Sequence, residues 1–154
     1  ITGGVERITM RLTVLRDLEG RVHFIPNGQI TIVTNLTHEW SQAVFDIQVA
    51  YKEDLGRVSD ELMTLARELK DAPEFAPLIL DNPQMLGVET LGDASVTLKF
   101  VVRTRPARQW EVKRELLRRI KRRFGELGID YRNASVTTFL NAPTLPAARG
   151  PDET

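Results

Sequence analysis

Phe45, Ile47, Val49 and Tyr51 alternate with Asp46, Gln48 and Ala50, the period-two pattern of a strand that buries one face. A stripe at helical spacing follows at Leu55, Val58, Leu62, Leu65 and Leu69, apolar positions three or four apart. Glu53-Asp54 places negative charge where that helix begins, which its dipole favours, and Pro73 and Pro77 lie beyond its end. Gln84–Leu91 reads as a second strand. Gly92-Asp93 turns the chain into Val96, Leu98, Phe100 and Val102, the clearest strand of all. After Pro106, the recurrence of Val112, Leu116, Leu117, Ile120, Phe124 and Leu127 predicts a second helix with Gly128 as its cap. Val136, Thr138 and Leu140 predict a last strand. Strand-helix-strand-strand-helix-strand is the order of a ferredoxin-like βαββαβ fold, a four-stranded antiparallel sheet with both helices on one face.

Upstream of this region the pattern is one of short strands and tight turns. Met10, Leu12 and Val14 alternate with polar neighbours. Asp17-Leu18-Glu19-Gly20 breaks the alternation, with Gly20 supplying a left-handed position. Val22 and Phe24 resume it, which turns His23 toward solvent. Pro26-Asn27-Gly28 turns the chain again, Pro26 by its fixed φ and Asn27-Gly28 by tolerance of left-handed geometry. A branched side chain at Gly28 is expected to forbid that turn. Ile30 and Ile32 begin a third strand, giving a small barrel or meander. Val33–Ser41 reads as a strand end and connector. The expected division is an all-β domain over 1–42, an α+β domain over 43–140, and a Pro/Ala-rich, disordered tail over 141–154.

Composition narrows the chemistry. The chain has 154 residues, 42% hydrophobic and 27% charged, with Lys plus Arg and Asp plus Glu balanced at 21 each. No global charge draws it to nucleic acid, and with no cysteine there is neither a disulfide framework nor a thiolate metal site. The chain opens at Ile1 without an initiating Met, as expected of a fragment of a longer protein. His23 and His38 lack converging partners, so no metal is expected. Ser41, Ser59, Ser95 and Ser135 sit in no nucleophile elbow, and Gly3-Gly4, Gly87 and Gly92 match no phosphate-binding loop. No cofactor and no enzymatic activity are expected. The strongest charge feature is the second helix, with Arg108, Lys113, Arg114, Arg118, Arg119, Lys121, Arg122 and Arg123 against Glu111 and Glu115. Such a cluster can bind phosphate backbones, which leaves a soluble regulatory or nucleic-acid-binding module as the alternative reading. The competing account pairs these cations with Asp54, Asp60, Glu61 and Glu68 of the first helix. An RNA-binding sheet also needs outward aromatics, and Phe45, Tyr51 and Phe100 all fall on the buried phase.

An ordered set of residues carries a resemblance. Gly4, Val5, Glu6, Ile8, Arg11, Thr13, Leu15, Arg16, Glu19, Gly20, Ile25, Pro26, Asn27, Gly28 and Ile30 resemble the start of the cytoplasmic part of the MscS-like mechanosensitive channel family. Val49-Ala50-Tyr51 with Asp54, Leu91–Val96, Phe100–Arg103, Arg119-Ile120-Lys121 and Gly128-Ile129 resemble its second cytoplasmic domain. The chain departs from the family at Asp130–Ala134, where a proline-containing segment is usual. The resemblance implies a small Sm-like or SH3-like β-barrel beneath the membrane, then the ferredoxin-like domain. It further implies a homo-oligomeric, heptameric ring that supports pore helices and forms a solute-sieving cage, in a channel that releases ions and small solutes under hypo-osmotic tension. The bilayer would be reached through upstream transmembrane helices, with this part on the cytoplasmic side of the cell membrane and no nucleic acid as partner. Arg11, Arg16, Asp17, Gly20, Pro26, Asn27 and Gly28 are the expected turn and interface positions, with Arg16 and Asp17 able to form ion pairs within or between subunits.

Overall fold

A computed structural model describes residues 1–133, in two compact units, Ile1–Leu36 and a second beginning at Thr37. The expected strand at Val136–Leu140 and the tail over 141–154 lie outside the described residues. The class is α+β with two sheets.

The first unit is an antiparallel sheet in the order β1-β2-β3, built from β1 (Gly4–Ile8), β2 (Leu12–Arg16) and β3 (Val22–Pro26), followed by a single 3-10 turn at Asn27–Gln29. The strands differ from those read off the alternation. Met10 belongs to a turn and is 99% exposed, because Thr9 closes the chain there: its amide donates to the Leu12 carbonyl, and its Oγ1 accepts from the Leu12 amide. Ile30 and Ile32 belong to no strand. A register shift between Val5 and Arg7 leaves Glu6 as a bulge.

The second unit is organised by burial. In β4 (Ser41–Ala50) alternate residues are buried, and Phe45, Ile47 and Val49 form the middle of the core. Helix α1 (Leu55–Asp71) buries Val58, Leu62, Leu65, Ala66 and Leu69. Asp54 caps its start, with Oδ1 accepting from the Gly56 amide at 2.9 Å and the Arg57 amide at 3.3 Å, so two of the orphan donors of the first turn are satisfied. Strand β5 (Gln84–Leu91) and β6 (Ser95–Thr104) form the expected hairpin, and α2 (Gln109–Leu127) buries Val112, Leu116, Ile120 and Phe124. Gly128 ends α2 at φ 67°, while the Ile129 amide reaches back to the Phe124 carbonyl, the glycine-dependent close of a helix. Strand β7 (Tyr131–Asn133) completes an antiparallel sheet of order β5-β6-β4-β7. Phe45 and Phe100 stack at 4.5 Å, and Phe124 meets Tyr131 edge-on at 5.2 Å. Tyr51, expected to be buried, is instead 53% exposed, with its hydroxyl donating to the Gly92 carbonyl.

Candidate functional site

The seven turn residues fall into two groups at opposite ends of β2, five residues or roughly 15 Å apart at ~3.3 Å per residue. They make two separate sites.

One end is the β2–β3 turn. Asp17 opens it and Gly20, at φ 85°, closes it, with the Gly20 amide donating to the Asp17 carbonyl at 3.1 Å. That is the aspartate-first, glycine-last chemistry of a tight turn. One carboxylate holds the loop. Asp17 Oδ1 accepts from the amides of Glu19 (3.0 Å) and Arg21 (2.9 Å), and Oδ2 from Arg21 Nε (2.8 Å) and His23 Nε2 (2.9 Å). The His23 hydrogen bond above all, joined by those from Arg21 and the Glu19 amide, brings the Asp17 carboxyl from its ordinary 3.8 down to about 2, against an upward push from desolvation that is second only to the His23 bond. His23 therefore does not simply face solvent as its strand phase predicts. The pairing Arg16↔Val22 puts Asp17 beside Arg21 and His23, a relation that turn length alone could have shown. Arg16 pairs with Glu6 through Nε and donates from Nη1 to the Gly20 carbonyl at 2.7 Å. Both Arg16 and Asp17 are thus paired inside this chain. Gly3 was not singled out by its sequence context, yet a Cβ there would lie 2.4 Å from the Arg16 carbonyl oxygen.

The other end joins the β1–β2 turn to the end of β3 through Asn27. Its Oδ1 accepts from Thr13 Oγ1 at 2.8 Å, its Nδ2 donates to the Thr9 carbonyl at 2.9 Å, and its amide donates to the Arg11 carbonyl at 2.8 Å. Asn27 acts as a side-chain clamp, not as a left-handed turn residue. Gly28 has no positive φ, and nothing lies within 4 Å of a Cβ built on it. The expectation that a branched side chain there forbids the turn is corrected accordingly. Pro26 ends β3 at φ −58°. Arg11 is exposed, and its guanidinium has no partner among the described residues.

The basic face of α2 is partly neutralised within the second unit. Arg123 bridges to Glu61 (3.1 Å) and Glu68 (3.3 Å) of α1, as the helix-pairing account expects. Glu115 takes both Arg118 and Arg119, and Arg118 above all holds its carboxyl down to about 2. Phe45 and Phe100 are turned into the core, so neither offers a stacking platform. Among the described residues no group of three or more His, Asp or Glu could hold a metal ion. No described helix is long and apolar enough to cross a membrane.

Family models place this arrangement. The model described as Mechanosensitive ion channel MscS, C-terminal, matches residues 43–131, and that described as Mechanosensitive ion channel, beta-domain, matches residues 1–38. The small-conductance mechanosensitive channel of Caldanaerobacter subterraneus subsp. tengcongensis is 30% identical over 141 residues, which are 92% of this chain and 49% of the relative. The moderate conductance mechanosensitive channel YbiO of Escherichia coli is 29% identical over 143 residues, 93% of this chain and 19% of the relative. The crystal structure of Helicobacter pylori MscS in its closed state has the same fold, with a TM-score of 0.67 at 20% identity over 91% of this chain and 55% of that one. The chain spans about half the length of the Caldanaerobacter relative and about a fifth of the Escherichia coli one. Two consecutive family matches, one to each compact unit, make this chain a member of the MscS family of mechanosensitive ion channels.

Proposed function

We propose that this chain is the cytoplasmic part of a channel that opens under membrane tension on hypo-osmotic shock and releases ions and small solutes. In this reading the first unit belongs to an Sm-like barrel and the second is a ferredoxin-like domain, which the strand order β5-β6-β4-β7 supports. Copies of the chain form a heptameric ring on the cytoplasmic side of the cell membrane, which supports the pore helices and sieves solutes. Upstream transmembrane helices supply the pore and the tension sensor. Arg11, Pro26, Asn27 and Gly28 at one end of β2, and Arg16, Asp17 and Gly20 at the other, lie in the turns from which neighbouring subunits are contacted.

The observation that carries the reading is the surface of the first sheet. Val14 is its one buried apolar residue; on its strands Val5, Ile8 and Phe24 are each more than half exposed, as are Met10 and Leu18 in its turns and Ile32 and Val33 beyond it. A three-stranded sheet with that much apolar surface is poorly stable alone in water, and association covers it.

Two measurements test this. The native mass of the isolated chain is expected near seven times 17.4 kDa; a monomer at high micromolar concentration overturns the claim that this part carries the assembly. The full-length channel in an excised membrane patch is expected to conduct when suction is applied. A patch that holds the protein and stays silent up to membrane rupture overturns the channel reading.

A further inference from the structure

We draw no further inference here: the strongest candidate, the flank of α2 on which half-exposed Trp110 shares a surface with Arg114 and Lys121, cations with no carboxylate partner among the described residues, carries nothing because nothing in the structure shows what covers it.

Discussion

Replacing Gly3 with Ala tests how the first sheet is held together. A Cβ built on Gly3 lies 2.4 Å from the carbonyl oxygen of Arg16, 2.8 Å from its carbonyl carbon and 3.2 Å from the Asp17 nitrogen. All three are backbone atoms, so no side chain can swing aside to make room. The oxygen must retreat by at least about 0.6 Å to reach the 3.0 Å below which real Cβ contacts essentially never fall. Gly4 and Arg16 face each other in the β1–β2 ladder, and Asp17 begins the turn, so the retreat disturbs ladder and turn together. Overpacking of this kind costs about 1–3 kcal/mol. At roughly 1.4 kcal/mol per factor of ten, the amides of β2 should then open about 5- to 150-fold more often. Both tryptophans, Trp40 and Trp110, lie in the second unit, so intrinsic fluorescence would miss the change. Amide hydrogen exchange followed by NMR reads it directly. Gly4→Ala and Gly28→Ala are the controls, since the nearest atom to a Cβ is 4.0 Å away at Gly4 and none lies within 4 Å at Gly28. Exchange in β2 of Gly3→Ala that matches the two controls would refute the close approach and the description of the sheet that rests on it.

Three further outcomes follow from the same contacts. Because the Asp17 carboxyl sits at about 2 when folded against an ordinary 3.8, its contribution to the turn is complete above about pH 4 and is lost as pH falls through about 2. An NMR titration of its carboxyl carbon should show that midpoint, and a midpoint at the ordinary value would dissolve the four-donor description. Asn27→Ala removes two side-chain hydrogen bonds and should destabilise the first sheet by about 1–3 kcal/mol at ~0.5–1.5 each. Faster amide exchange at Thr13 and Leu12 is the expected sign, and wild-type rates would contradict the clamp. Phe100→Ala leaves a cavity beside the stacked Phe45 and should cost about 3–5 kcal/mol, seen in urea unfolding of the second unit by Trp40 and Trp110 fluorescence. A loss below about 1 kcal/mol would mean that the ring is not packed as described.

The second unit was legible because its elements bury one side against a core within the chain. In β4 the alternation of Phe45, Ile47 and Val49 with Asp46 and Gln48 is also the alternation of buried and exposed. The stripes of α1 and α2 work the same way: Leu62 and Leu65 are buried because they face the same sheet as Leu116 and Ile120. Tyr51 continued the phase of β4 on paper but stands one residue past the end of that strand, where its hydroxyl caps the hairpin carbonyl of Gly92. Periodicity could not show that. In the first unit, apolar alternation at Met10, Leu12 and Val14, at Val22 and Phe24, and at Ile30 and Ile32 suggests a buried face where burial is nearly absent: Met10, Phe24 and Ile32 are all exposed, and only Val14 is buried. What places those strands is polar. Thr9 makes the turn that excludes Met10 from a strand, and the bulge at Glu6 coincides with its pairing to Arg16. Neither leaves a periodic trace in the sequence.

This contrast bears on how such a chain divides its work. Turns and ion pairs place the strands of the first unit and leave its apolar side chains without a core of their own. Asp17, with four donors on one carboxylate, and Asn27, bridging the Thr9 turn to Thr13, fix the two ends of β2. Between and beyond them Val5, Ile8, Phe24 and Ile32 remain available for contact. The second unit does the reverse, with its large apolar residues committed to a core that Phe45, Phe100 and Phe124 fill. On this division, substitutions at the turns of the first unit should change association before they change folding of the second, whereas core substitutions such as Phe100→Ala should do the opposite. The two effects are separable in one sample, since native mass follows the first and tryptophan fluorescence the second.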